Sequence, residues 1–164
     1  MTVRRLRADE AALLKALRLR ALADAPDAFA HTHAEISARP NSYWDDMTRS
    51  VTEPGRNLML VAEETQGPIG MAFGIVDRDR PARAHLGGMW VEPDVRHRGA
   101  GRALADGVIA WARERGFAEM VLWVTEGNKP AIALYERLGF VMTGRRDRLP
   151  PNPSLAILEM ERSL

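Results

Sequence analysis

Two strand-length apolar runs, residues 84–91 (AHLGGMWV) and 119–125 (EMVLWVT), flank one long helical pattern at residues 99–115. That arrangement constrains the fold more than any other feature of the chain. A helix-length connection packs back onto the sheet it left, so the two strands run parallel and the crossover is right-handed. Ala100, Leu104, Val108 and Trp111 recur at helical spacing, and Gly116 follows as the stop.

The rest of the chain adds elements to this unit. Residues 2–7 are expected to form a first strand. From Asp9, read as an N-cap, the stretch DEAALLKALRLRALADA sets Leu13, Leu17 and Ala21 on one helical face with Leu14 beside them, until Pro26 stops it. A short helix is expected over residues 42–50. Residues 57–63 (NLMLVAE) and 68–76 (PIGMAFGIV) flank Glu64-Thr65-Gln66-Gly67, which reads as a hairpin connection. A helix at residues 129–138 and strands at 140–147 and 155–161, joined by the turn LPPNP, complete an α/β (α+β) sheet of mixed direction.

A chain of 164 residues suits one domain, 1–164, that buries roughly two-thirds of its unfolded surface. Its 23 basic and 22 acidic side chains nearly cancel, which gives no reason to expect nucleic acid as a partner. Only Lys15 and Lys129 are lysines. The arginine excess is either a bias of composition or a supply of forks for phosphate. The absence of cysteine excludes disulfides, thiolate nucleophiles and cysteine metal sites together. No signal-peptide core opens the chain, and no run nears the roughly 20 apolar residues of a membrane span. The expectation is a cytoplasmic protein with no membrane partner.

The chemistry concentrates in WVEPDVRHRGAGRAL, residues 90–104. A strand runs into a short turn, and Gly99 and Gly101 open a helix. Free N–H groups at a helix start, with the positive end of its dipole, form an anion site. Glycine lets backbone approach a ligand closely. Arg96, Arg98 and Arg102 add positive charge, so a pyrophosphate is a natural occupant, and a solvated basic helix start is the plainer alternative. The turn is no P-loop, since it holds no lysine. Nor is it the dinucleotide fingerprint, because Leu104 stands where a third Gly or Ala is required.

These residues resemble the GNAT superfamily of N-acetyltransferases. Its pyrophosphate signature is Arg or Gln, two residues, Gly, one residue, then Gly or Ala, and Arg96, Gly99 and Gly101 fill it. A second block, NKPAIALYERLGF at residues 128–140, is similar to the family's later motif, with Asn128, Ala131, Leu134, Tyr135, Gly139 and Phe140 on its spacing. The resemblance implies a largely antiparallel sheet of about seven strands, a parallel splayed pair at its centre and about four flanking helices. It implies acetyl-CoA as cosubstrate, no metal and a small-molecule amine as acceptor, and it allows a homodimer.

Roles follow residue by residue as implications of that resemblance. Backbone amides of His97, Arg98, Gly99, Ala100, Gly101 and Arg102 would hold the pyrophosphate, with the side chain of Arg96 adding attraction. Backbone of Met89, Trp90 and Val91 would pair with the pantetheine arm. Asn128 and Ala131 would border that arm, Asn128 also reading as an ordinary helix cap. Tyr135 matches the family's general acid beside the departing sulfur. A free phenol titrates near 10 and a thiol near 8.5, so a hydrogen bond to developing charge is the safer role. The base is expected at His85, which occupies about the register where some members carry a Glu, while Glu92 lies at the far end of the strand. His85 also reads as a merely packed side chain.

Other features carry less. His31 and His33 form a metal-like pair with no acidic third ligand implied. Tyr43 and Trp44 either line an acceptor pocket or pack, and Glu126 sits with Trp123 and Thr125 at the ligand edge of a parallel strand. The rivals to a small-molecule enzyme are a protein N-terminal or lysine acetyltransferase and a non-catalytic acyl-CoA-binding module.

Overall fold

The computed structural model describes residues 1–164. Along the chain lie β1 (Thr2–Arg5), α1 (Ala11–Asp24), α2 (His33–Ser37), α3 (Asn41–Thr52), β2 (Leu58–Glu64), β3 (Gly67–Val76), β4 (Arg83–Val91), α4 (Ala100–Glu114), β5 (Glu119–Thr125), α5 (Lys129–Arg137), β6 (Val141–Leu149) and β7 (Asn152–Ser163). One seven-stranded sheet has the order β1-β2-β3-β4-β5-β7-β6. Every neighbouring pair is antiparallel except β4 and β5.

The α-helices number five, where about four were expected. The extra one, α2, starts at a reciprocal cap in which Thr32 Oγ1 accepts from the Glu35 N–H at 3.1 Å and the Glu35 carboxylate accepts from the Thr32 N–H at 2.8 Å. Two local expectations are corrected. The N-cap of α1 is Glu10 rather than Asp9. Its carboxylate is drawn off by the side chains of Arg4 and Arg7, so it satisfies none of the helix amides. The first strand ends at Arg5, two residues early.

The sheet separates two cores. On one face α4 and α5 bring Leu104, Val108, Trp111 and Tyr135 against Leu58, Leu60, Leu86 and Leu122. Leu104 and Val108 are wholly buried, and each such side chain contributes about 1.5–3 kcal/mol. On the other face α1, α2 and α3 bring Leu14, Leu17, Ile36 and Trp44 against Met59, Met71, Phe73 and Trp90. Trp44 therefore packs in this core, with Tyr43 edge-on to it at 5.1 Å.

The parallel pair is barely a pair. Bridges join Arg83 to Glu119, Ala84 to Met120 and His85 to Val121, and then stop, although β4 continues to Val91 and β5 to Thr125. Just beyond the last bridge, β4 bulges. Met71 faces Trp90 and Phe73 faces Gly87, so Gly88 and Met89 together oppose Ala72. A bulge bends and twists its strand. Gly88 takes φ of 57°, and a Cβ there would stand 2.5 Å from the Phe73 ring, which restricts the position to glycine.

Candidate active site

The turn after β4 is built to present amides. Pro93–Val95 forms one tight helical turn, His97 takes φ of 65° and Gly99 takes φ of 91°. His97 is the only non-glycine residue in the chain with positive φ. Such a conformation costs about 1–2 kcal/mol and persists where surrounding structure enforces it. Left-handed residues alternating with ordinary ones turn successive N–H groups into one concavity. Six consecutive main-chain N–H groups, from His97 to Arg102, donate to nothing within the chain. They open α4, whose buried Ala100 fixes its start and whose first turn holds no acidic side chain to compete for them.

The arginines of the turn divide. Arg98 and Arg102 are exposed, and Arg102 approaches Asp106 at 3.5 Å. Arg96, expected to face the anion, is tied into the fold. Its Nε donates to the Val91 carbonyl at 2.9 Å and its guanidinium pairs with Asp24 at the end of α1. The same carboxylate oxygen accepts from Trp90 Nε1 at 2.9 Å. Arg96 thus positions the turn, and the Val91 carbonyl is already occupied. Trp90 sends its ring into the α1-side core, leaving only its backbone for the gap.

The gap between β4 and β5 is walled on the α4 side by Met89, Val91, Ala131 and Leu134, all partly buried. Asn128 caps α5, its Oδ1 accepting from the Ala131 N–H at 3.3 Å, so the cap role holds and the Ala131 amide is spent. Tyr135 is 7% exposed and lies edge-on to Phe140 at 6.0 Å. Loss of water pushes its phenol up to about 12, with no hydrogen bond contributing.

Where pairing ends lies a cavity of about 390 Å³ lined by Ile75, Asp77, His85, Gly87 and Trp123, and reaching Leu86 and Leu122 of the α4-side core. His85 Nε2 lies 2.9 Å from Asp77 Oδ2. The hydrogen bond from His85 leads the causes holding the Asp77 carboxyl well below the usual range, joined by Arg83 Nε at 3.0 Å and the amides of Asp79 and Arg80. An ionised carboxylate only accepts, so Nε2 carries a proton towards Asp77, and in the neutral form of the ring Nδ1 is the nitrogen with a lone pair. Asp77 was missed from sequence. An Asp after a strand is an ordinary turn-former, and nothing local announces that it also reaches across the turn to His85. Glu92, the other base considered, pairs with Arg20, and Glu126 pairs with Arg146 at 3.0 Å. His31 and His33 gather no third ligand.

A seven-stranded sheet with one short parallel pair at its centre is the GNAT-type fold. A model of the acetyltransferase (GNAT) family matches residues 19–140, and the chain belongs to that family. It is similar to mycothiol acetyltransferase of Salinispora tropica, 33% identical over 137 residues, which are 81% of this chain and 41% of that protein. It is also similar to the peptidyl-lysine N-acetyltransferase YjaB of Escherichia coli, 29% identical over 71% of this chain and 70% of that one. A phosphinothricin acetyltransferase from Sinorhizobium meliloti, solved in complex with AcCoA, shares the fold with a TM-score of 0.80 at 20% identity, over 99% of this chain and 88% of that one. The chain spans about two-fifths of the length of the mycothiol acetyltransferases it matches. No helix is long and apolar enough to cross a membrane.

Proposed function

We propose that residues 1–164 form one acetyl-CoA-dependent N-acetyltransferase domain that acetylates a primary amine of a small molecule. The observation that carries this reading is the run of six unpartnered amides opening directly beside the gap between β4 and β5. A diphosphate suits the amides, and an extended arm suits the unpaired edge of β4. The thioester then meets the acceptor through the gap, because Tyr135 belongs to the α4-side core while His85 and Trp123 line the cavity beyond.

In this mechanism the amine nitrogen attacks the thioester carbonyl carbon. Its proton passes to Nδ1 of His85, directly or through water, with Asp77 fixing the ring. The tetrahedral oxyanion collapses, the carbon–sulfur bond breaks, and CoA leaves. With its pKa near 12 against about 8.5 for a free thiol, Tyr135 cannot hand over its proton fully, so it stabilises the departing sulfur by hydrogen bonding. Holding both substrates in one place supplies most of the rate.

Calorimetry with acetyl-CoA tests the placement. A Cβ at Gly101 meets Leu134 and Val91 at ordinary distances of 3.5 and 3.8 Å, so Gly101→Ala is expected to bind normally. Gly101→Arg is expected to abolish binding, and near-normal affinity in that variant would refute the placement. A panel of amines and peptides, followed by thiol release, then separates the readings. The similarity to a peptidyl-lysine acetyltransferase supports the protein-directed alternative. Binding of acetyl-CoA without thiol release on any acceptor would mark a sensor.

A further inference from the structure

Among the arginines that make no hydrogen bond or ion pair, all but Arg18 are exposed. Arg18 lies on α1 and is half-buried, its guanidinium over the rings of Phe29 at 5.1 Å and Phe73 at 5.9 Å. Removal from water lowers its pKa, and no carboxylate or carbonyl compensates. The buried Arg83, by contrast, has Asp77. A cation withdrawn from water without an acceptor is costly, and the two rings offset only part of that cost. None of its nitrogens is sealed off completely, since the only fully buried side-chain polar atom without a partner is Nε1 of Trp44.

The position of Arg18 gives this a direction. Ile75 pairs with His85 and Phe73 pairs with Gly87, so all four share the sheet face that carries α1. Phe73 lies two residues, roughly 7 Å, further along the strand than Ile75. The guanidinium above Phe73 therefore lies on the α1 face of the sheet beside the β4 bulge, two residues along the strands from the His85 register.

We propose that Arg18 anchors an anionic group of the acceptor, and that the acceptor is an amine bearing a carboxylate. This rests on the transferase reading above. The planar fork donates two parallel hydrogen bonds to a carboxylate, and the Phe29 and Phe73 rings beside it restrain the guanidinium. The ligand completes the shell that the fold leaves open and fixes the amine towards His85.

The test uses the whole chain and amino acids whose amine and carboxylate are separated by one to five carbons, each compared with its own amide. In wild type at least one acid is expected to exceed its amide in kcat/KM by roughly ten- to a hundredfold, the range of a charge-assisted contact. Arg18→Gln should collapse that ratio towards one while leaving the KM for acetyl-CoA within about twofold. Comparing ratios between wild type and variant cancels the difference in amine basicity. Arg18→Lys keeps stem and charge but loses the fork, so it should fold as wild type and retain an intermediate ratio. The proposal is overturned if wild type favours no acid over its amide, if it acetylates none of the panel although acetyl-CoA binds, or if Arg18→Gln keeps the wild-type ratio. Failure of acetyl-CoA to bind at all instead removes the transferase reading on which the proposal rests.

Discussion

Gly88→Ala is expected to unfold this protein more readily by about 2–4 kcal/mol. Two costs meet at the position. The φ of 57° puts an L-residue in the left-handed region, about 1–2 kcal/mol. The new Cβ stands 2.5 Å from Phe73 Cδ2, and forcing atoms into a packed core adds about 1–3 kcal/mol. Stiffening of the unfolded chain returns about 0.4–1 kcal/mol. For a chain of this length, about 2–4 °C per kcal/mol gives a drop in melting temperature of roughly 4–16 °C. Urea titration reads the free energy directly, and a constant m-value confirms that the same surface unfolds. Gly127→Ala is the control, because φ is 88° with no atom within 4 Å, so it carries the backbone cost alone. A Gly88→Ala protein within about 1 kcal/mol of wild type, or a control that loses as much, would show that the bulge is not packed as described.

Two further outcomes follow from the site. Tyr135→Phe removes a hydroxyl that makes no hydrogen bond in the fold, so melting temperature should hold while kcat falls at least about tenfold and acetyl-CoA affinity stays within about twofold; unchanged kcat removes its role beside sulfur. Asp77 has a folded pKa below its unfolded one, so on acidification through about pH 4 the unfolded chain takes up protons the native state refuses. Its stabilising contribution is thus present above that pH and drains below it. Asp77→Asn should cost stability at pH 6 and lose less than wild type between pH 6 and pH 3 in urea midpoints. Parallel curves for the two proteins would contradict the assignment.

What could be read in the sequence was whatever is local. Gly116 and Pro26 mark helix ends, and the strand pattern at residues 119–125 matches β5 residue for residue. Even α2 had a local signal, since Thr32 and Glu35 stand at capping-box spacing. The amide turn was legible because two glycines opening a helix have a backbone meaning. Its strain at His97 was not, since nothing marks a histidine for positive φ. The role of Arg96 depends on Asp24, 72 residues away, and no periodicity connects the two. Nothing in the sequence sets Arg18 apart within α1, because its exceptional status is an absence of partners, visible only once every other side chain has been placed.

The sheet works as a partition with a single slit. Under the function proposed above, molecules arriving from either side would touch through it without sharing a corridor, so neither would have to leave before the other enters. The same partition lets the two approaches diverge independently in evolution. Under that function, helices on the α1 side could be rebuilt for a new guest while the amide turn kept serving the old one.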